Sequence, residues 1–414
     1  MNELPFDRTH KFPTLPYGIF FIKGMHYFGY HIRFKDLARG GLRTVLTERP
    51  EFVAHERNQI FSECYNLALT QQFKNKDIPE GGAKGIIFLK PDDQISTEIN
   101  ILKRELELSK IDELAIEDNL EHFKNEQKTE YLQQSQRSFI DTLLTLVNCH
   151  PDGSLKAKNI VDYYKIPEYL YLGPDENMHN EIIQWIADKS KSVGYKPGSA
   201  FISSKPKAGI NHKEYGVTSL GLNVYVEELL KFSGIDPKKD PFTIKMSGGP
   251  DGDVAGNQIL NFYRFYPDTA KIIAITDISG TIYDPKGLDK ALLADFFKER
   301  KPIRFYPPQK LNDGGFMLDL ENRRQDSALS IQTLFYKKEN GKLIEEWLNG
   351  SEMNYVYRTS MHKTKADIFI PGGGRPKTLN EHNLKEYLDE SGKPTSYLIV
   401  EGANLYITPS AREK

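Results

Sequence analysis

The stretch Phe242-Thr-Ile-Lys-Met-Ser-Gly-Gly-Pro-Asp-Gly-Asp-Val-Ala-Gly256 decides the fold of the second half of the chain. Residues 242–246 are typical of a buried strand, the glycines after them predict a tight turn, and a helix is expected from about Val254. A helix is also predicted over 217–232. Further strands are expected at 271–276, 367–370 and 397–400. Strands that alternate with helices predict an α/β fold with a parallel, doubly wound sheet.

The glycine-rich turn is a candidate cofactor site. Such a turn lets backbone N–H groups bind a pyrophosphate at the N-terminus of the following helix. The candidate cofactor-binding residues here are Gly249, Gly252, Asp253 and Val254. Their spacing departs from the standard GxGxxG, so a tight turn without a ligand is equally compatible with it.

Asp277 ends the next predicted strand, 25 residues after Gly252, close to the roughly 20 expected of a ribose-binding acid. A carboxylate there would accept hydrogen bonds from the ribose 2′-OH and repel a 2′-phosphate, which favours NAD over NADP. The alternative interpretation is a turn or cap residue.

Two cations framed by glycines lie in the first half of the chain. One is Arg39, followed by Gly40 and Gly41, and the other is Lys84, which is expected on a turn just before a buried strand at 85–89. Glycines allow a substrate to approach the backbone closely. Lys84 is not a Walker lysine, because neither Ser nor Thr follows it.

Three more polar side chains complete a candidate substrate site. A helix predicted from about residue 50 to 74 places Gln71 and Lys74 on one face, where both could reach one carboxylate. Asp175 follows a proline in a constrained loop, with a helix N-cap as the alternative role. Each residue alone is better explained as a surface cation or a cap. Together, ahead of a nucleotide-binding fold, they predict catalysis.

Composition excludes several classes of protein. The formal net charge of −2 argues against a nucleic-acid binder, and no apolar run approaches the roughly 18 residues that span a bilayer. The two cysteines, Cys64 and Cys149, are too few for a disulfide framework or a cysteine metal site. Because residues 1–10 match neither a secretory signal nor a transit peptide, we expect a reducing, cytoplasmic setting.

Six segments resemble the glutamate dehydrogenase family, and most closely its large NAD-dependent class. They run in family order over nearly the whole chain: DLARGGLR at 36–43, LTQQFKNKDIPEGGAKG at 69–85, YLGPDEN at 171–177, EYGVTS at 214–219, FIPGGGRPK at 369–377 and VEGANL at 400–405. Together they are far more specific than any single motif.

The resemblance implies NAD-dependent oxidative deamination of L-glutamate to 2-oxoglutarate and ammonia, without a metal, by a homo-oligomer. It implies that Lys84 activates the attacking water and that Asp175 exchanges protons with the substrate nitrogen. Gln71 and Lys74 would hold the α-carboxylate, whereas Thr218 and Asn404 match positions at the nicotinamide end of the cofactor. We expect Lys84 and Asp175 to face each other across a gap wide enough for a five-carbon diacid.

Arg39 bears on the choice of substrate. In the smaller enzymes of the family a lysine before the two glycines contacts the γ-carboxylate, and an apolar residue replaces it in leucine dehydrogenases. A guanidinium at this position can bind a carboxylate in bidentate fashion. With Gly40 and Gly41, Arg39 therefore completes the predicted substrate site and favours glutamate over leucine, phenylalanine or valine.

The predicted domains are a substrate-binding and catalytic domain at 1–208, with a helical insertion at about 91–135, and a Rossmann-like NAD-binding domain at 209–414. Relative to the family, the chain ends before helices that return to the first domain. A fragment, a compact variant and an inactive relative are all compatible with this. The alternative functions are another amino-acid dehydrogenase and a catalytically silent NAD- or metabolite-binding module.

Overall fold

The computed structural model describes residues 11–46, 50–74, 76–91, 95–109, 112–163, 165–209, 215–327 and 330–414. The polar start at 1–10, on which the absence of a targeting segment was argued, lies outside the described residues. The chain divides into two compact units, Met1–Asn211 and His212–Lys414. Among the described residues, no helix is both long and apolar enough to cross a membrane.

The first unit is built on a five-stranded mixed sheet with the order β1-β2-β4-β3-β5. Its strands are β1 Gly18–Lys23, β2 Tyr27–Arg33, β3 Ala38–Val45, β4 Gly81–Leu89 and β5 Leu170–Pro174, and its helices are α1 Pro50–Gln72, α2 Ile95–Leu108, α3 Glu113–Val147 and α4 Asn180–Ser192. The central strand β3 pairs in parallel with both β4 and β5. Side chains that follow β4 and β5 therefore reach the same edge of the sheet.

Helices cover both faces of this sheet. Cys64 and Ala68 of α1 pack with Ile86 of β4 on one face, whereas Phe139 and Leu143 of α3 pack on the other. Phe139 and Leu143 are thus core residues of this unit. Successive side chains of a strand point to opposite faces of the sheet, so each side chain of β3 and β4 faces either α1 or α3.

Two details of the sequence prediction were wrong in this unit. Lys84 lies inside strand β4 and not on a turn before it, and the neighbouring glycines Gly40 and Gly41 lie inside strand β3. Helix α1 ends at Gln72, so Lys74 is beyond the helix rather than on its face.

The glycines serve close packing instead of a turn. A Cβ on Gly40 would lie 1.5 Å from the Ala83 carbonyl oxygen, and one on Gly82 would lie 2.1 Å from the Gln72 backbone nitrogen. The extended backbones of β3 and β4, and the end of α1, approach too closely for any side chain at these positions.

The second unit contains an eight-stranded sheet with the order β11-β10-β9-β8-β7-β6-β12-β13. Its strands are β6 Phe242–Ser247, β7 Ala270–Thr276, β8 Gly280–Tyr283, β9 Phe316–Ser327, β10 Ser330–Glu339, β11 Lys342–Leu348, β12 Ile368–Pro371 and β13 Leu398–Ile399, and its helices are α5 Val217–Phe232, α6 Asp253–Phe265, α7 Lys290–Glu299, α8 Gly350–Lys363 and α9 Pro409–Glu413. Strands β7, β6, β12 and β13 are parallel, as predicted.

Four antiparallel strands, β8 to β11, extend this sheet on the β7 side and were not predicted. The core lies between the parallel strands and their helices, where Val226, Ile244, Ile259 and Ile272 are fully buried. The order of the parallel strands reverses between β6 and β12, so a crevice is expected outside their carboxyl ends.

Candidate active site

Lys84 and Asp175 meet in the first unit, where Lys84 Nζ forms an ion pair with Asp175 Oδ2. Lys84 lies on β4 and Asp175 directly follows β5, so strand β3 lies between their backbones. The expected gap between the two groups is not present, because opposite charges projecting over the same strand attract each other. Lys84 is largely shielded, whereas the Asp175 side chain is 38% exposed.

Gly41 of β3 forms the floor beneath this ion pair. A Cβ at Gly41 would lie 2.7 Å from Asp175 Oδ2 and 3.0 Å from Lys84 Nζ. Real Cβ atoms do not approach other heavy atoms that closely, so the pair can occupy this position only over glycine. This contact gives Gly41 a geometric role in the candidate site.

The backbone that carries Asp175 is held by two side chains that sequence reasoning did not assign. Arg43 of β3 pairs with Glu176, the residue after Asp175, and donates to Glu63 of α1 at 2.6 Å. Burial by itself would lower the pKa of Arg43, but the Glu176 and Glu63 carboxylates outweigh it and raise the pKa. Arg43 therefore stays charged and ties the loop to α1.

Gln136 is the second of these side chains and is fully buried on α3. Its amide nitrogen donates to Thr44 Oγ1 at 2.9 Å and to the Asn177 carbonyl at 2.8 Å. Arg43 stands inside a quoted motif and could have been found there, whereas nothing in the sequence around Gln136 indicates that it reaches this loop.

Arg39 lies two residues before Gly41 on β3 and therefore on the same face of the sheet, about 7 Å along the strand. Its guanidinium pairs with Glu80 at 3.1 Å. It borders a cavity of about 280 Å³ that is lined mainly by apolar side chains. Arg39 is thus placed beside the Lys84–Asp175 pair, with its own internal carboxylate partner.

Gln71 and Lys74 are separated by the end of α1. Gln71 lies in the last turn of the helix and its backbone adjoins Gly82. Lys74 lies beyond the helix and is exposed. Gln72, the residue after Gln71, accepts a hydrogen bond from the Gly82 nitrogen at 2.8 Å. This end of the helix is therefore anchored to β4.

In the second unit the glycine-rich turn follows β6 as predicted, and Gly252 is the N-cap of α6. Asp253 and Val254 form the first turn of that helix. Gly248 has φ of +92°, and a Cβ there would lie 2.7 Å from the Gly373 nitrogen. The turn after β6 and the turn after β12 therefore approach backbone to backbone at the point where the strand order reverses.

Asp277 follows β7 and lies directly beside the turn, since a Cβ on Gly249 would be 2.3 Å from Asp277 Oδ2. Its Oδ1 accepts hydrogen bonds from the nitrogens of Ser279 at 2.8 Å and Gly280 at 3.1 Å, and its Oδ2 accepts one from Ile303 N at 2.8 Å. Burial raises the pKa of Asp277. Asp277 thus caps its own turn, and a ribose-binding role stays a prediction.

Thr218 and Asn404 are both exposed near this crevice. Thr218 is in the first turn of α5, and the next residue, Ser219, donates to the Val254 carbonyl at 2.8 Å. A Cβ on Gly402, two residues before Asn404, would lie 2.7 Å from Val254 Cγ1. The N-termini of α5 and α6 and the segment after β13 therefore converge.

Among the described residues, no group of three or more His, Cys, Asp or Glu side chains is arranged to hold a metal ion. The predicted residues form two clusters, and only the cluster of the first unit contains cations. One cluster lies over β3 of the first unit and the other at the carboxyl ends of β6 and β12 in the second.

Comparison with known proteins identifies relatives over nearly the full chain. The family model for glutamate/leucine/phenylalanine/valine dehydrogenase matches residues 208–321 and 324–414. A probable NAD-specific glutamate dehydrogenase of Schizosaccharomyces pombe is 34% identical over 94% of this chain and 30% of its own length. The NAD-specific glutamate dehydrogenase of Saccharomyces cerevisiae is 33% identical over 97% of this chain and 32% of its own length.

This chain spans about a third of the length of these curated relatives. Among solved structures, the hetero-hexameric glutamate dehydrogenase of Thermus thermophilus superposes with a TM-score of 0.51, covering 96% of this chain and 69% of that one at 18% identity. That likeness supports the two-domain α/β fold. The chain belongs to the glutamate/leucine/phenylalanine/valine dehydrogenase family.

Proposed function

We propose that this chain carries out NAD-dependent oxidative deamination of L-glutamate to 2-oxoglutarate and ammonia. The observation that carries the proposal is the ion pair of Lys84 and Asp175 over the bare Cα of Gly41. The names of the long relatives, NAD-specific glutamate dehydrogenases, support both the substrate and the cofactor.

The two charged groups have complementary roles in this reaction. NAD, when bound, accepts a hydride from the substrate Cα. The Asp175 carboxylate first accepts a proton from the substrate ammonium, because only the neutral amine can lose a hydride, and it passes that proton to solvent. The loss of the hydride then leaves positive charge on the Cα–N unit, which the Asp175 carboxylate compensates. Once the substrate has replaced its contact with Asp175, Lys84 releases its proton to solvent, and the neutral amine orients the water that attacks the iminium carbon and takes up a proton from it. The substrate must enter between the two groups and replace their direct contact.

Arg39 supports glutamate over apolar substrates. It lies on the same face as Gly41 and about 7 Å away along β3, which suits the length of a five-carbon diacid held at its α-carbon over Gly41. Gln71 and Lys74 would hold the α-carboxylate near the end of α1. An apolar substrate side chain would lie against the charged Arg39–Glu80 pair without gaining a charged contact from it.

The cofactor-binding set at the crevice of the second unit consists of residues from four segments: Thr218, Gly249, Gly252, Asp253, Val254, Asp277 and Asn404. The backbone N–H groups at the start of α6 suit a pyrophosphate, and the carboxylate of Asp277 beside Gly249 disfavours a 2′-phosphate. We also propose a cytoplasmic homo-oligomer. The fold neighbour from Thermus thermophilus is named a hetero-hexamer, which supports an oligomer but not identical subunits.

A substrate screen of the purified chain tests the proposal. With NAD, we expect NADH absorbance to rise with L-glutamate, and kcat/KM to exceed that for L-leucine at least about 100-fold, because a site built around a charge rejects an apolar analogue. Equal or better turnover of leucine would favour another amino-acid dehydrogenase. Calorimetric binding of NAD without turnover of any amino acid would favour a silent binding module.

A further inference from the structure

Glu80 lies between two cations at the entrance to strand β4. Its Oε1 is 3.1 Å from Arg39 and 3.4 Å from Lys76 Nζ. The Glu80 side chain is only 11% exposed, whereas Arg39 is 45% exposed. A carboxylate shielded to this extent requires paired charge, and Arg39 provides it while part of its guanidinium stays open to solvent.

The three groups carry a combined charge of +1 at the edge of the cavity described above. Arg39 and Glu80 line that cavity together with the largely apolar side chains Leu37, Ile78 and Tyr171. A volume of about 280 Å³ accommodates a short side chain. One further carboxylate entering beside Arg39 would neutralise the cluster, but it would share one guanidinium with Glu80.

We propose that Glu80 is a specificity-determining residue, an internal counter-ion of Arg39 that competes with the side-chain carboxylate of the substrate. This inference rests on the proposed function, in which Arg39 receives that carboxylate. Glu80 keeps Arg39 and Lys76 compensated while no substrate is bound. When the diacid binds, the two carboxylates lie within a few ångströms of each other and repel, so Glu80 weakens binding of the substrate.

Steady-state kinetics of Glu80→Gln test this directly, because glutamine keeps the shape and removes the charge. We expect KM for glutamate to fall at least about fivefold at low ionic strength, and the effect to shrink as salt is added. Norvaline has the same chain length but lacks the side-chain carboxylate, so its KM should not fall in Glu80→Gln. Glu80→Asp, which keeps the charge, should stay closer to the wild type than Glu80→Gln does.

Two further variants guard against a merely structural effect. Lys76→Gln leaves Glu80 less compensated and should raise KM for glutamate, the opposite direction to Glu80→Gln. Glu107→Gln is the matched control, because Glu107 lies on exposed α2 and is paired with Lys103 at 4.0 Å. It should leave KM for glutamate unchanged. An unchanged or higher KM in Glu80→Gln, or an unchanged or lower KM in Lys76→Gln, would overturn the role of Glu80.

Calorimetry with glutarate separates this inference from the proposed function. Glutarate is a five-carbon diacid without an amino group, so its binding does not require turnover. Glu80→Gln should bind it at least about fivefold more tightly than the wild-type chain does. A wild type that turns over no glutamate would refute the proposed function alone, whereas glutarate binding that is not tightened in Glu80→Gln would refute the competition.

Discussion

Gly41 has no side chain, and the Lys84–Asp175 ion pair lies directly over its Cα. The sequence predicted all three residues but not their geometry, because a glycine beside a cation indicates either a turn or a close approach of backbones. The pairing of β3 with both β4 and β5 distinguishes a turn from a close approach of backbones. That pairing brings together Lys84 and Asp175, which are more than 90 positions apart in the sequence.

Replacing Gly41 by alanine tests this arrangement. The new Cβ would lie 2.7 Å from Asp175 Oδ2, so the ends of two flexible side chains must move while the strand stays in place. We expect kcat/KM for glutamate to fall about 100-fold, as small misplacements of catalytic groups do, with little change in the melting temperature. Gly221→Ala, where a Cβ meets nothing within 4 Å, should retain activity.

His31 on β2 makes the free energy of unfolding depend on pH. It is fully buried, and neither ring nitrogen has a hydrogen-bond partner among the described residues. Burial, helped by the charge of Arg33, lowers the pKa of His31 from 6.5 to about 3. Between these values the unfolded chain binds a proton that the folded chain does not, so stability falls as pH falls below 6.5.

Urea unfolding at pH 7.5 and 5.0 measures this effect. His31 should account for about 2 kcal/mol of the loss in unfolding free energy at pH 5.0, and His31→Phe should remove that share. Fluorescence of Trp185 in a Trp347→Phe background reports the first unit alone. His122→Phe, on the exposed surface of α3, should lose as much unfolding free energy between pH 7.5 and 5.0 as the wild type does. If His31→Phe lost the same amount between these pH values, burial of His31 would not explain the pH dependence.

At the scale of elements, the hairpin of β10 and β11 shows what sequence reasoning missed. Asn340 and Gly341 connect Glu339 to its partner Lys342, and both have positive φ, 51° and 74°. Asn-Gly between two alternating strands is among the strongest hairpin patterns, so this pair was predictable. Strands β8 and β9 carry no such local pattern, because long-range pairing with β7 determines them.

Gly341→Ala tests the hairpin. Alanine at a φ of +74° is strained whatever space surrounds it, so we expect a loss of about 1 kcal/mol in unfolding free energy. Gly350→Ala, at the first position of α8 with open space around it, should be neutral or slightly stabilising. Thermal unfolding followed through Trp347 fluorescence in a Trp185→Phe background compares the two, and equal stabilities would contradict the assigned turn.

For the whole molecule, the parallel strands and the glycine turn of the second unit follow from the local pattern around residues 242–256. The first unit was harder to predict, because strand β3 is rich in glycine and arginine and resembles a loop. The strand pattern alone did not connect Lys84 with Asp175. The family resemblance did, because it includes both of the distant segments that carry them. Glu80 lies inside the family-like segment at 69–85, but its pairing with Arg39 is set by tertiary packing. Gln136 lies in no such segment.

Lys84 and Asp175 are proposed to handle the protons of glutamate oxidation together. The most direct measurement is the initial rate of NADH formation from L-glutamate by Lys84→Ala and Asp175→Asn, beside Lys189→Ala and Asp141→Asn. The latter pair is a partly exposed lysine–aspartate ion pair of the same unit, 2.9 Å apart. We predict a loss of at least about 1,000-fold in each variant of the first pair, with circular dichroism unchanged, and near-normal rates in the second. Wild-type rates in Lys84→Ala and Asp175→Asn would show that these two residues do not carry the proton transfers.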